Sequence, residues 1–165
     1  MTRYDTDTIH FGCRVAGVML RDGYVLLQGE PDGPFWTLPG GGVELLEPSP
    51  AALNRELREE QGVDVQIDRL LWIVEQFFVS ELDGRACHEI GFYFLVAPLD
   101  APHLADLERT LHAVDGQYEV IFRWFKLADL DSLRLYPSFL PAALRALPLT
   151  PTHLVLVDDA AALRS

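Results

Sequence analysis

The sequence predicts an α+β fold, with segregated helices packed on a mixed β-sheet. Three observations lead there. Strand-like runs come in pairs joined by two-residue turn signals, Asp22-Gly23 and Asp83-Gly84. Between the pairs lies a stretch of good helix formers, Ala51 to Gln61, with its own start and stop signals. A second amphipathic stretch, residues 137–147, comes late, after a further strand-like run. With 165 residues and 49% hydrophobic content, the chain suits one domain with a sizeable core.

Taken in order, residues 1–10 read as a polar arm. Phe11 to Leu20 alternates as a strand, turns at Asp22-Gly23 and returns over Tyr24 to Gln28. GEPDGP is a loop, and Phe35 to Leu38 is a short strand delivering the glycine turn Gly40-Gly41-Gly42. Ser49 is placed to cap a helix with Pro50 at its first position, and Gly62 to end it. Val63 to Val79 and Cys87 to Val96 form the second hairpin, and residues 97–117 read as a polar connection with some helical character. Tyr118 to Leu127 is another strand, 128–133 a short turn or helix, and 137–147 a helix whose first turns Pro141 breaks or kinks. In the C-terminal extension, 148–165, THLVLVDD either joins the sheet or reaches a second subunit, so a homodimer is open.

A formal net charge of -12 argues against a nucleic-acid polymer as partner, because phosphate contacts need a basic face. The apolar runs are too short for a membrane span, and MTRYDTDTIH has no apolar signal region, so a cytoplasmic location is expected. Cys13 and Cys87 lack metal or redox spacing and read as buried small hydrophobes.

The chemistry concentrates in residues 40–63. On the helix, Leu53 and Leu57 form an apolar ridge, with Glu56 and Glu60 four residues apart on its flank and Glu59 outside them. Like charges at that spacing cost a few tenths of a kcal/mol, which a bound cation offsets. Carboxylates beside a glycine turn make an oxygen site suited to Mg2+, with Mn2+ as the alternative.

The order Gly41, Glu47, Arg55, Glu56, Leu57, Glu59, Glu60, Gly62, Val63 resembles the signature of the Nudix hydrolases at every constrained position. One departure is Leu46, where many members carry glycine. It bears on loop shape. The resemblance implies the Nudix fold, an α/β/α sandwich. It also implies hydrolysis of a pyrophosphate bond in a nucleoside diphosphate linked to another moiety. Glu56 and Glu60 are then the principal metal ligands, with Glu59 in support and a carbonyl of the Gly40–Gly41 turn in the shell. Arg55 would bridge Glu47 and pin the loop to the helix. In several relatives an acid shortly before a Trp-Phe pair is a metal ligand or general base, and Glu119 stands so before Trp124-Phe125. Glu119 is thus the first candidate base and Glu59 the second, while an exposed strand carboxylate explains Glu119 equally well.

Trp36, His88 and Glu89 are weaker candidates for substrate contact; a core aromatic and a satisfied histidine are the competing readings of the first two. Signatures of the ADP-ribose, dinucleoside polyphosphate, coenzyme A and NADH subclasses are missing, which favours a nucleoside triphosphate or small nucleotide slightly over those substrates. The competing class is a nucleotide-binding or regulatory domain of the same fold without catalysis. An intact set of box acids argues against it.

Overall fold

The computed structural model describes residues 3–158 other than residue 82. In chain order the elements are β1 (Arg3–Asp5), β2 (Ile9–Arg21), β3 (Tyr24–Gly29), β4 (Trp36–Thr37), β5 (Gly40–Gly42), α1 (Ser49–Gln61), β6 (Asp64–Val79) and β7 (Ala86–Leu99). After a 3-10 turn at Pro102–Leu104 come β8 (Leu111–Asp115) and β9 (Tyr118–Lys126). A second 3-10 segment, Leu127–Ser132, leads to α2 (Leu140–Arg145) and β10 (Thr152–Val157). The strands form one mixed sheet in the order β10-β6-β7-β2-β3-β9-β8, with β1 and β5 on β2 and β4 on β3. The β2–β7 and β10–β6 pairs are parallel and the others antiparallel.

Local chemistry explains the first hairpin. Asp22 and Gly23 both take positive φ, 49° and 82°, as the twist of a two-residue turn demands, and β2 and β3 follow from it. Side chains of alternating residues then split into two cores. On one face Val15, Leu26, Phe94 and Phe122 pack with Leu53 and Leu57 of α1. On the other, Val18, Leu38, Trp72 and Tyr93 pack with Leu140 and Leu144 of α2. Helices on both faces of a mixed sheet are the α+β sandwich that the sequence predicts.

Several boundaries differ from expectation. Part of the polar arm is a strand, β1, because Arg3–Asp5 find partners at Gly12–His10. The connection 97–117 contains β8, an edge strand that β9 templates. The strand expected at Phe35–Leu38 shortens to β4. The Ser49 side chain makes no capping hydrogen bond: Pro48, in extended conformation, precedes the helix and Ser49 is its first residue. The late helix is only six residues long and starts at Leu140, so Pro141 falls in the first turn, where a missing N–H costs little. The C-terminal strand joins its own sheet, running parallel to Trp72–Phe77.

Candidate active site

The glycine turn is built by close approach. Gly40, Gly41 and Gly42 pair with Ala16, Val15 and Arg14 of β2. A Cβ on Gly40 would overlap the Val15 carbonyl oxygen, and one on Gly41 would overlap the Glu56 carboxylate. Only glycine lets the strand lie against both. The Gly40 N–H donates to Gln28 Oε1 at 3.3 Å. In the loop that follows, Leu46 is fully exposed at φ 63°, the left-handed conformation that favours the glycine many family members carry there.

Helix α1 is fixed at both faces. Leu53 and Leu57 are fully buried. Asn54 makes two hydrogen bonds with the Val65 backbone, donating from Nδ2 at 3.2 Å and accepting at Oδ1 at 3.1 Å. Gly62 ends the helix in the left-handed conformation, φ 66°, its N–H bonded to the Arg58 carbonyl. The expected stop is there for the expected reason.

Arg55 holds the acids. Its Nε and Nη2 bind the two oxygens of Glu47 at 2.8 and 2.9 Å, and Nη2 also donates to the Gly42 carbonyl at 3.0 Å. Nη1 donates to Glu56 Oε1 at 2.8 Å and Glu59 Oε2 at 3.3 Å. One guanidinium therefore ties the loop, the glycine turn and the helix together. The Arg55 bonds hold the Glu47 carboxyl well below the usual range, at about 2. The Arg55–Glu47 bridge implied by the resemblance is formed.

Glu60 lies beside this cluster in a different state. Burial, with the charges of Glu56 and Asp115 adding to it and Arg14 opposing, pushes its carboxyl up to about 7. Its Oε2 is buried and has no hydrogen-bond partner among the described residues. Arg55 draws Glu56 and Glu59 toward itself, and among the described residues no three His, Cys, Asp or Glu side chains converge on a metal position as they stand. The donor set nevertheless suits a hard divalent cation: an orphaned carboxylate oxygen, a second carboxylate above it, and excess negative charge nearby.

Glu119 does not join these acids. Val120, Phe122 and Trp124 of β9 point into the core beneath α1, so strand alternation turns Glu119 to the opposite face. There it is exposed and bonds His112 Nδ1 at 3.0 Å. The structure thus corrects the expectation for Glu119: its carboxylate faces away from the box helix. Asp115, at the end of β8 and on the α1 side of the hairpin, is the acid of this hairpin that acts on Glu60, after Glu56 of the helix itself. Its position depends on a hairpin register that the sequence does not display.

The weaker candidates separate too. Trp36 packs edge-to-face on Phe125, ring centroids 4.7 Å apart, with the Arg123 guanidinium 5.9 Å from its ring. It is a scaffold residue and does not line the cavity that its neighbours Phe35 and Thr37 border. His88 stacks on Phe77 at 4.3 Å and contacts Glu75 at 3.2 Å, a satisfied histidine. Glu89, one residue on and therefore on the other face, lines a cavity of about 600 Å³ with Arg14, Gln76, Tyr93, Phe35 and Tyr136. Of the three, only Glu89 faces that cavity. Cys13 and Cys87 are free thiols, and burial raises both above the ordinary thiol value.

A mixed sheet between two helical layers carries the Gly–Glu–Arg–Glu cluster at one of its helices. The NUDIX domain model matches residues 12–147. The chain belongs to the Nudix hydrolase family and is an enzyme of that class. The CTP pyrophosphohydrolase of Escherichia coli (strain K12) is 30% identical over 131 residues, 77% of this chain and 84% of its own length. A MutT NUDIX hydrolase from Burkholderia pseudomallei is 25% identical with a TM-score of 0.50, over 73% of this chain and 86% of its own. The MutT protein of Bacillus halodurans superposes with a TM-score of 0.59 at 18% identity, over 90% and 92% of the two chains, and shows the likeness of fold. Among the described residues no helix is long and apolar enough to cross a membrane.

Proposed function

We propose that the enzyme hydrolyses a pyrophosphate bond of a nucleoside triphosphate or similar small nucleotide, with Mg2+ or Mn2+ held by Glu56 and Glu60. The observation that carries this reading is the buried, unpartnered Oε2 of Glu60 next to the Glu56 carboxylate. A divalent ion supplies charge neutralisation for the phosphates and lowers the pKa of water. The chain's own residues do the rest. Arg55 orients Glu56 through Oε1, so that the carboxylate is presented and not free to swing. Glu59 is exposed, and its Oε1 has no partner among the described residues, so it can take a proton from the attacking water. Arg14 pairs with Gly42 across β2 and β5 and also lines the cavity, so a nucleotide bound there with its phosphates at the box would meet a cation beside them. That a relative is named a CTP pyrophosphohydrolase supports a nucleoside triphosphate as substrate. A cytoplasmic enzyme acting on a small nucleotide also agrees with the acidic net charge of -12.

Metal and pH test this reading together. The folded Glu60 carboxyl titrates near 7, against an ordinary value of 4.5. Between those values the fold keeps a proton that the unfolded chain releases. That contribution to stability is complete below pH 4.5 and is lost as pH rises through 7. Mg2+ should therefore raise the melting temperature more at pH 8 than at pH 5, because only the charged site binds it well. Melting curves in EDTA and in excess Mg2+ across that range check it. A Mg2+ shift that is absent, or larger at pH 5, means the glutamates hold no cation.

A further inference from the structure

The cavity opposite α1 has polarity that the box chemistry does not use. Its floor is three neighbouring strands in register: Gln76 of β6 beside Glu89 of β7 beside Gly12 of β2, and, two residues along, Val74 beside Gly91 beside Arg14. The side chains of each row share a face. Gly12 and Gly91 carry no side chain beside Glu89; the Tyr93 ring lies over Gly91 and the His10 imidazole over Gly12. Glu89 is half-buried and has no hydrogen bond or ion pair with any described residue, although Arg14 and Gln76 line the same cavity. Gln76 is 7% exposed, and its amide reaches Asp158 Oδ2 at 3.4 Å. Among the described residues the Arg14 side chain has a single long bond, Nη2 to the Leu38 carbonyl at 3.5 Å. The cavity thus has a cationic end next to the glycine turn and, about 6.6 Å further along β7, an end that offers hydrogen-bond acceptors.

A nucleotide has the complementary polarity. With its phosphates at Arg14 and the box, its base lies against Glu89 and Gln76, beside Phe35 and Tyr136, whose rings pack edge-to-face with centroids 5.7 Å apart. An unpaired carboxylate in that position accepts hydrogen bonds and repels carbonyl oxygens. We propose that Glu89 is a specificity-determining residue that selects nucleotides whose base carries an exocyclic amine over those presenting a carbonyl at the same position. The inference rests on the nucleotide reading above and adds which base the site prefers. Cytosine and uracil make the sharpest comparison, since at position 4 one presents an amine and the other an oxygen.

The experiment is equilibrium binding of CMP and UMP to the full chain in EDTA, together with kcat/KM for CTP and UTP in Mg2+. The wild type should favour the cytosine nucleotide by about 10–100-fold in both. Glu89→Gln, whose amide can donate to a carbonyl, should erase or reverse the preference, with KM carrying most of the change. Glu89→Ala, which keeps neither donor nor acceptor, should bring the ratio near one. Equal binding of CMP and UMP by the wild type, or an unchanged ratio in Glu89→Gln, overturns the proposal. Because binding is read without metal, a protein that discriminates the monophosphates yet hydrolyses no triphosphate would contradict the hydrolytic reading alone. One that hydrolyses both triphosphates equally would contradict the base selection alone.

Discussion

Glu60→Gln and Glu56→Gln are each expected to keep the fold and to lower turnover by a thousandfold or more. The change is isosteric, and Glu60 Oε2 makes no hydrogen bond that an amide would break. What the amide removes is the charge that holds a divalent ion against the phosphates. A loss of about 4 kcal/mol of transition-state stabilisation corresponds to that thousandfold. In EDTA above pH 7, Glu60→Gln should even be the more stable protein, because the wild type must there carry a charge in a half-buried, acidic setting. Turnover at saturating Mg2+ and paired melts in EDTA give both numbers. Near-wild-type turnover in either variant would return these acids to the role of a solvated helix face.

Arg55→Ala should lower stability by about 1–3 kcal/mol, between the ranges for exposed and buried pairs, and should also impair activity. The side chains of Arg55 and Glu47 are 25% and 16% exposed, so the carboxylate left behind is only partly rescued by water. Arg55→Lys should recover little, because an ammonium cannot span both Glu47 oxygens, the Gly42 carbonyl and Glu56 at once. The sign with pH follows from Glu47, whose pKa is depressed from 4.5 to about 2. Its contribution is present above pH 4.5 and is lost as pH falls toward 2. Urea unfolding of wild type and variant at pH 7 and pH 3 should therefore show a gap that narrows in acid. An unchanged midpoint at pH 7 would mean that the bridge is screened by solvent.

The box was legible because its determinants are local. The Leu53–Leu57 ridge, the Gly62 stop and the Arg55–Glu47 spacing all depend on helix geometry over a few residues. The helix starts one residue earlier than the Ser49-Pro50 pair suggests, since Pro48 enters extended and Ser49 adds no capping bond. Glu119 shows where local reading ends. In YEVIFRWFK, Val120, Ile121 and Phe122 are all buried, so the alternation that would assign faces is blurred. Which face carries Glu119 is decided by packing beneath α1. Asp115 was invisible for a similar reason, because it reaches the site through the β8–β9 register. His88 and Glu89 are adjacent in sequence yet face opposite sides of β7, and only the sheet tells which one meets the cavity.

The central claim is that the acids of α1 serve the cleavage of a nucleotide's pyrophosphate bond. Phosphorus NMR of CTP incubated with the enzyme, in Mg2+ and in EDTA, tests it most directly. CTP should lose a phosphoanhydride bond in Mg2+, giving a shorter cytidine nucleotide and phosphate or pyrophosphate, and should not turn over in EDTA. CTP left intact in Mg2+, or equal turnover with and without the metal, would contradict that claim.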